Sequence, residues 1–148
     1  MKTVVTLAAC LLAITGCQES EEKRLTTLAD AAKKSIAARY KNPDAVQFKG
    51  LVLDWQQQHI CGELNAKNGF GGYTGYNSFR AELKGTAAET SIGSMWITKE
   101  RLIQIYDDAM AGRITEYEAS KARLNVIFAS TCTDANSSKS PIYIPSKS

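Results

Sequence analysis

Apolar residues recur at three- and four-residue steps over residues 22–40, the first long segment after the apolar start of the chain. This spacing is typical of one face of a helix, and the face contains Leu25, Leu28, Ala29, Ala32, Ile36 and Tyr40. Basic side chains are enriched toward the end of the segment, where they interact favourably with the helix dipole. Asn42-Pro43 ends the helix, because the residue before a proline avoids the helical region.

The apolar spacing then changes to a two-residue period, which is typical of strands. Val46 and Phe48 alternate with other residues, and the apolar phase shifts by one at Gly50, which indicates a β-bulge. Three further strands are predicted over residues 57–64, 79–84 and 94–97. Short strands that follow one another along the chain favour an antiparallel meander.

Two helices are predicted after the strands. Thr98 can cap the first, Gly112 can end it, and Thr115 and Glu118 have the spacing of a capping box for the second. The predicted faces are Leu102, Ile105, Tyr106, Ala109 and Met110 in the first helix, and Tyr117, Lys121, Leu124, Ile127 and Phe128 in the second. We expect a single α+β domain with an N-terminal helix, an antiparallel sheet of three to four strands and a C-terminal helical hairpin.

The chain begins with the charged start, short apolar core and small-residue exit of a secretory signal peptide. Its apolar run, residues 4–14, is shorter than the roughly 20 residues that a membrane-spanning helix needs. The exit, Leu12-Ala13-Ile14-Thr15-Gly16-Cys17, resembles a bacterial lipobox. The resemblance implies cleavage before Cys17, a diacylglycerol on its thiol and a further acyl chain, such as palmitate, on the new amino terminus. An ordinary secreted protein with a coincidental cysteine is the alternative.

The lipobox resemblance also implies a location. Several acyl chains, at about 0.8 kcal/mol per buried methylene, would anchor the protein firmly to a membrane. Gln18 stands where, by resemblance to enterobacterial lipoproteins, an aspartate would favour the inner membrane. We therefore expect an anchored protein of the bacterial envelope, on the outer membrane and facing the periplasm.

Removal of the signal peptide, residues 1–16, would leave enough chain for one compact domain. We expect a lipidated tether over residues 17–22, a domain over 23–132 and a flexible tail over 133–148. The formal net charge of the whole chain is only +3, which gives no argument for nucleic acid as a partner.

Cys61 and Cys132 are the cysteines that remain in the predicted domain, and in an oxidising envelope two thiols most often form one disulfide. Such a bridge would contribute roughly 4 kcal/mol in the chain-entropy model. His59, Cys61 and Glu63 share one side of the predicted strand. They imitate a catalytic set in which Cys61 is the nucleophile, His59 the base and Glu63 the residue that orients the base. Residues two apart rarely reach hydrogen-bond distance, however, and no oxyanion donor is identifiable. No catalytic residue is therefore assigned, and a thiol enzyme or redox protein using Cys61 with His59 remains the alternative.

No metal or small-molecule cofactor is expected. One histidine and two cysteines are too few for a four-ligand zinc site, and a disulfide would remove both sulfurs. The glycine-rich stretch from Gly69 to Gly75 lacks a following Gly-Lys-Ser/Thr and joins two strands, so it is not a phosphate-binding loop. A tight loop with glycines at positive φ is the simpler interpretation, and Asn65 and Asn68 suit it.

The same stretch resembles a group of small, often exported bacterial proteins. The shared signature is Cys61-Gly62-Glu63-x-Asn65-Ala66-Lys67-Asn68 followed by Gly71-Gly72-Tyr73-x-Gly75-Tyr76-x-x-Phe79, preceded by Tyr40-x-Asn42-Pro43-Asp44-x-Val46-x-Phe48. The resemblance implies one fixed corner built by glycines and asparagines. It implies no activity, because no function is established for the group.

These observations favour a non-catalytic protein-interaction module with an accessory, exclusion or inhibitor role in the envelope. Tyr73 and Tyr76 are the predicted interaction surface, because aromatic residues dominate binding energy at protein interfaces. The expected partners are the membrane, through the lipid on Cys17, and an envelope protein. A purely structural spacer is a further reading, under which changes at Tyr73 and Tyr76 would have no effect.

Overall fold

Three helices and five strands follow one another along the part of the chain that the structure describes. The structure is a computed structural model that describes residues 13–133 and 139–144, with the backbone alone for residues 13–20. The elements are α1 (Ala13–Ala37), β1 (Gln47–Leu53), β2 (His59–Asn65), β3 (Asn77–Lys84), β4 (Ser91–Ile97), α2 (Thr98–Met110), α3 (Glu116–Ser130) and β5 (Ile142–Tyr143). A single 3-10 turn, Pro43–Ala45, connects α1 to β1.

All strand pairs are antiparallel, and the strands lie in the order β4-β3-β2-β1-β5. The predicted α+β class and antiparallel sheet are confirmed, but the described sheet has five strands instead of three to four. The additional strand, β5, comes from the segment that we expected to be a flexible tail. Its two residues pair with Val52 and Leu53 of β1, so the tail contributes an edge of the sheet.

The predicted apolar face of α1 covers one face of the sheet. Five of its residues are buried, namely Leu25, Leu28, Ala29, Ala32 and Ile36, while Tyr40 is half-buried. Four of them, Leu25, Leu28, Ala32 and Ile36, form the core together with sheet residues Leu53, Ile60, Leu64, Phe79 and Ala81. This is the main hydrophobic core, and it encloses the largest buried side chain, Phe79, edge-on to Phe48 at 6.1 Å between ring centroids.

The backbone of α1 is already helical at Ala13. In the full chain, the segment expected to be a tether, residues 17–22, is therefore part of this helix. Residues 1–12, which hold most of the predicted signal peptide, lie outside the described residues.

The predicted bulge in β1 is confirmed. The pairing register between β1 and β2 shifts between Lys49 and Val52, and Gly50 has a φ of +59°, which glycine adopts without a steric cost. The bulge pushes the backbone of β1 over Gly62 of β2. A Cβ there would lie 2.7 Å from Leu51 Cδ2 and 3.1 Å from the carbonyl oxygen of Lys49, so this signature position has no room for a larger residue.

The opposite face of the sheet is joined to α3. Cys61 and Cys132 form the predicted disulfide, with 2.17 Å between the sulfurs. Arg80, which lies beside Cys61 in β3, donates from Nη1 to the carbonyl oxygen of Ala129 at 2.9 Å. Both links hold the end of α3 against the centre of the sheet.

The C-terminal helical hairpin needs a correction. Helices α2 and α3 contact each other and contact β3, but they do not end the fold, because the chain continues into β5 at the opposite edge of the sheet. The capping box of Thr115 and Glu118 is confirmed, and Gly112 has the positive φ, +68°, of a helix-ending glycine. Thr98 is not a cap, because Ile97 occupies the N-cap position.

The predicted apolar faces of α2 and α3 are largely uncovered. Ile105 is the buried residue of α2, and Ala119 is the buried residue of α3. The exposed large apolar side chains of the two helices are Ile103, Tyr106, Met110, Tyr117, Leu124, Ile127 and Phe128. The apolar periodicity therefore indicates helices correctly but does not indicate burial here.

Candidate functional site

The loop that joins β2 to β3, residues 66–76, holds the predicted surface tyrosines, and we call it the aromatic loop. Its two halves pair with each other, through a bridge between Lys67 and Tyr73 and a bond from the Thr74 amide to the Ala66 carbonyl oxygen at 3.2 Å. The Asn68 amide also donates to the carbonyl oxygen of Gly72 at 2.8 Å. The loop is thus a small hairpin that extends the β2–β3 pair.

Two asparagine side chains fix the backbone of the aromatic loop. Asn68 Oδ1 accepts from the amides of Phe70 and Gly72, each at 3.0 Å. Asn65, which is buried, accepts from the amide of Gly75 with Oδ1 and donates from Nδ2 to Gln47 Oε1. These contacts confirm that the asparagines have the backbone-bonding role predicted from the sequence.

Two of the four glycines of the loop have a backbone conformation that requires glycine. Gly71 and Gly75 adopt φ values of +85° and +89°, a region that is strained for other residues, as predicted. Gly69 and Gly72 are outside that region. The stretch therefore needs glycine at two of its turn positions. It joins strand β2 to strand β3 and does not lead into a helix, as a phosphate-binding loop would.

The folded loop presents three aromatic side chains to solvent. Phe70 is 100% exposed, Tyr73 is 46% exposed and Tyr76 is 41% exposed. Lys67 Nζ lies 5.3 Å from the ring centroid of Tyr73, and Lys49 Nζ lies 4.1 Å from that of Tyr76. The surface therefore combines aromatic faces with positive charge.

A groove of about 460 Å³ adjoins the aromatic loop, and we call it the tyrosine groove. Tyr76 and the first residues of β3 form one wall, and the first turns of α2 form the other. It is lined by Tyr76, Asn77, Ser78, Thr98, Lys99, Leu102, Ile103 and Tyr106. Two of these residues, Ile103 and Tyr106, also belong to the exposed apolar side of α2, so the groove continues into that surface.

The Cys61–His59 pair is not brought together as a catalytic dyad. Cys61 is fully buried and bonded to Cys132, and the ring Nδ1 of His59 lies 2.8 Å from Asp54 Oδ2. Asp54 also accepts the backbone amides of Gln58 and His59 with Oδ1, so this carboxylate fixes the β1–β2 turn. The Asp54–His59 contact is local to a turn and has a structural explanation.

The pKa of Glu82 is lowered, first by the hydrogen bond that its carboxylate accepts from the Ser94 amide. Glu82 pairs across the sheet with His59 and binds both the amide and the hydroxyl of Ser94. This arrangement holds strands β3 and β4 together and leaves the carboxylate ionised. Nothing in it places a nucleophile or a substrate cavity beside the imidazole.

The side chains that the structure describes, those of residues 21–133 and 139–144, include no group of three or more His, Cys, Asp or Glu placed to hold a metal ion. Within the same residues, none of the helices has the length and hydropathy that crossing a bilayer requires. Comparison of the chain with protein-family models, with curated proteins and with solved structures gives no match.

Sequence reasoning missed three residues of this region. Phe70 is a lone aromatic among glycines, and only the folded hairpin makes it the most exposed of the loop's aromatic residues. The apolar spacing places Tyr106 on the same helix face as Leu102 and Ile105, yet Tyr106 is 57% exposed and lines the tyrosine groove. The contact between Asp54 and His59 was also missed, because a turn separates the two residues in the sequence. The available signal was that Asp54 directly follows the apolar run of β1, where a turn residue is expected.

Proposed function

We propose that the protein is a lipid-anchored component of the bacterial envelope that binds another protein, without catalysis, through the aromatic loop. The observation that carries the proposal is Phe70, a fully exposed aromatic side chain on a loop fixed by Asn65 and Asn68. A fixed backbone has little conformational freedom left to lose on binding, so such a loop is preorganised. Aromatic side chains are the usual anchors of protein interfaces.

The lipobox resemblance supports a lipid on Cys17, and an anchor there gives the molecule an orientation. Arg24, which follows that cysteine in α1, donates from Nη2 to Gln57 Oε1 in the β1–β2 turn at 2.7 Å. The aromatic loop leaves the other end of β2. An anchored molecule would therefore carry its aromatic loop away from the lipid, toward a protein in the periplasm, if the anchor lies in the outer membrane as we propose.

The resemblance of the Cys-Gly-x-x-Asn-Ala-Lys-Asn signature to small exported proteins supports the same reading in a limited way. The signature residues have identifiable structural roles, in the disulfide, the bulge contact and the loop hydrogen bonds. The backbone of Tyr73 takes part in the loop bridge, but the side chains of Tyr73 and Tyr76 are exposed, with a lysine side chain over each ring. They are thus available for a partner.

The alternative, a thiol enzyme or redox protein using Cys61, has less support. Reactive cysteines are accessible and form thiolates readily, whereas both sulfurs here belong to buried residues that are bonded to each other. Thiol labelling of the native protein separates the two proposals. A binding module should be labelled at Cys61 only after unfolding and reduction, and rapid labelling in the native state would favour the enzyme.

Site-specific photo-crosslinking in living cells tests the binding function. A benzophenone side chain placed at position 70 should give one reproducible adduct with an envelope protein. The matched control is position 86, an exposed residue in the β3–β4 turn at the far end of the sheet, which should give no such adduct. Equal adduct patterns at both positions, or none at position 70, would contradict the proposal.

The lipid anchor is tested separately by Cys17→Ser. Metabolic labelling with palmitate should mark the wild-type protein and not the variant, and the variant should leave the membrane fraction. If the wild-type protein is not labelled, or the variant fractionates with membranes unchanged, the proposed anchor is wrong. Density-gradient separation of the two membranes tests the proposed outer-membrane location.

A further inference from the structure

The residues that line the tyrosine groove indicate which kind of partner it could bind. Apolar and aromatic surface comes from Tyr76, Leu102, Ile103 and Tyr106, and polar groups come from the first residues of β3 and α2. A few polar groups around an apolar cleft are typical of sites that fix the orientation of what they bind. At about 460 Å³, the groove has room for one or two large side chains of a peptide.

The charge at the groove is positive. Lys99 is the charged residue of its lining, and no ion pair of Lys99 occurs among the described residues. Lys49 lies over the ring of Tyr76 at the rim, with one partner, Glu63, at 3.1 Å. An approaching carboxylate would meet Lys99 without first breaking an internal ion pair. Charge complementarity of this kind steers partners and selects among them.

The lining of the groove also contains a hydroxyl group without a hydrogen-bond partner among the described residues. The hydroxyl oxygen of Thr98 is buried and has no hydrogen-bond partner within the described part of the chain. Buried polar atoms are normally satisfied, but the protein itself covers this oxygen, so it is a feature of the wall and not a contact for the bound segment. It lies one residue from Lys99, on the same first turn of α2.

The position of the groove argues for a protein segment over a lipid surface. The groove lies at the end of the sheet where β3 begins and β4 ends, next to the aromatic loop. Arg24, near the middle of α1, contacts Gln57 of the β1–β2 turn at the other end. A chain anchored ahead of Arg24 would thus hold the groove on the side away from its own lipid.

We propose that the tyrosine groove binds an acidic peptide segment of the envelope partner. One large apolar side chain of the segment lies between Tyr76 and Tyr106, and a neighbouring carboxylate pairs with Lys99. This inference rests on the proposed binding function and adds the chemistry of the bound segment. The aromatic loop supplies a second contact beside the groove, with Phe70 at its exposed tip.

Selection from a library of random twelve-residue peptides displayed on phage tests the chemistry without knowledge of the partner. The bait is the full-length, oxidised protein in detergent micelles. We expect the selected peptides to combine an aromatic or large aliphatic residue with neighbouring Asp or Glu. Enrichment of basic or uncharged peptides would overturn the inference.

Variants then locate the binding site. Tyr106→Ala and Lys99→Glu should each weaken the best selected peptide about tenfold or more, a loss of about 1.4 kcal/mol. Tyr117→Ala and Lys121→Glu make the same changes at exposed positions of α3 and should leave the affinity unchanged. All four residues are exposed, so each variant should keep the thermal unfolding midpoint of the parent protein, which checks the fold. Equal effects of the test and control pairs would overturn the assignment to the groove.

Other occupants give distinct results. A concentration-dependent dimer that Tyr106→Ala abolishes would mean that a second copy of the chain fills the groove. Competition between the selected peptides and vesicles of anionic phospholipid would mean that a membrane surface does. Either result overturns the inference of an acidic peptide.

Failure of this inference is distinguishable from failure of the proposed function. If position 70 still crosslinks to its partner in the Tyr106→Ala and Lys99→Glu variants, the binding module stands and the groove inference fails. If no variant and no parent protein crosslinks, the proposed function fails, and the peptide selection alone decides what the groove binds.

Discussion

Helices α1, α2 and α3 all contain several apolar residues, but the protein buries those of α1 and leaves most of the large ones of α2 and α3 exposed. Leu25, Leu28, Ala32 and Ile36 lie in the core, whereas Tyr106, Met110, Tyr117, Leu124, Ile127 and Phe128 are exposed. The sheet offers α1 a face of aliphatic and aromatic side chains. On the other face, Glu63, Ser78 and Arg80 accompany the disulfide, with the half-buried Val52 and Trp96 as apolar neighbours, so α2 and α3 pack on a mixed surface.

The difference shows that a helix can be held in place without a hydrophobic face in the core. The end of α3 is held by the Cys61–Cys132 bond and by the hydrogen bond from Arg80 to Ala129. The capping box at Thr115 stabilises the first turn of α3 itself and does not attach it to the sheet. Apolar surface that folding does not use is left available for a partner, since patches of this kind mark interaction sites.

Removal of the disulfide should have the largest effect on stability. It should also destabilise α3 more than α1. The bond spans 71 positions of the sequence, so the chain-entropy model predicts that Cys61→Ala with Cys132→Ala lowers the free energy of unfolding by about 4 kcal/mol. Urea denaturation measures the loss. Hydrogen exchange should show that α3 loses protection before α1, and equal loss in both helices would contradict the comparison.

A single core substitution gives the next largest effect. Ile36 is 0% exposed in the core, so Ile36→Ala should cost about 3 kcal/mol through lost burial and a cavity. The same change at Ile127, which is 50% exposed on α3, should alter stability by less than about 0.5 kcal/mol. Denaturant midpoints of the two variants decide the matter. Comparable losses would show that the α3 face is covered in solution.

The cap of α3 should have a smaller effect. Thr115 Oγ1 accepts from the amide of Glu118 at 3.2 Å, and Thr115→Ala should cost about 1 kcal/mol because that amide loses its partner. Thr27→Ala is the control, because Thr27 lies inside α1 and only bonds back to the Lys23 carbonyl oxygen. The control should be neutral or slightly stabilising in thermal denaturation. A loss as large as that of Thr115→Ala would refute the role of the cap.

The same cap should give a small dependence on pH. The pKa of Glu118 is lowered from its ordinary value of 4.5, first by the hydrogen bond from the Thr115 amide and then by that from its hydroxyl. A carboxylate with a lowered pKa in the folded state stabilises above pH 4.5, and the contribution disappears as the pH falls through the lowered value. Glu118→Gln should therefore flatten the fall in unfolding midpoint on acidification. Glu22→Gln, which removes an exposed carboxylate outside the cap, is the control.

Local patterns predicted much of the fold. The three-and-four spacing located α1 and its buried face, and the phase shift at Gly50 located the bulge. The cysteine count predicted the Cys61–Cys132 bond, and the Thr115–Glu118 spacing predicted the capping box. Each of these features depends on contacts between near neighbours in the chain or on the chemistry of a small number of residues.

The remaining features depend on distant contacts that periodicity does not encode. Strand β5 has two residues, too few for a period, and it forms because β1 presents an open edge. The spacing of Tyr106 and Met110 shows that α2 has an apolar side but not what covers it. The exposure of Phe70 follows from the hydrogen bonds of Asn68, which place the residue at the tip of a hairpin.

The Cys61–Cys132 bond also imposes an order of events on biogenesis. Its two cysteines lie 71 positions apart in the chain, so they cannot meet until β3, β4, α2 and α3 have been made. Both cysteines are buried in the finished molecule, so an oxidising catalyst can reach them only while α3 is still undocked. Oxidation must therefore come before the end of α3 docks on the sheet, and until then this end of the helix lacks its covalent link.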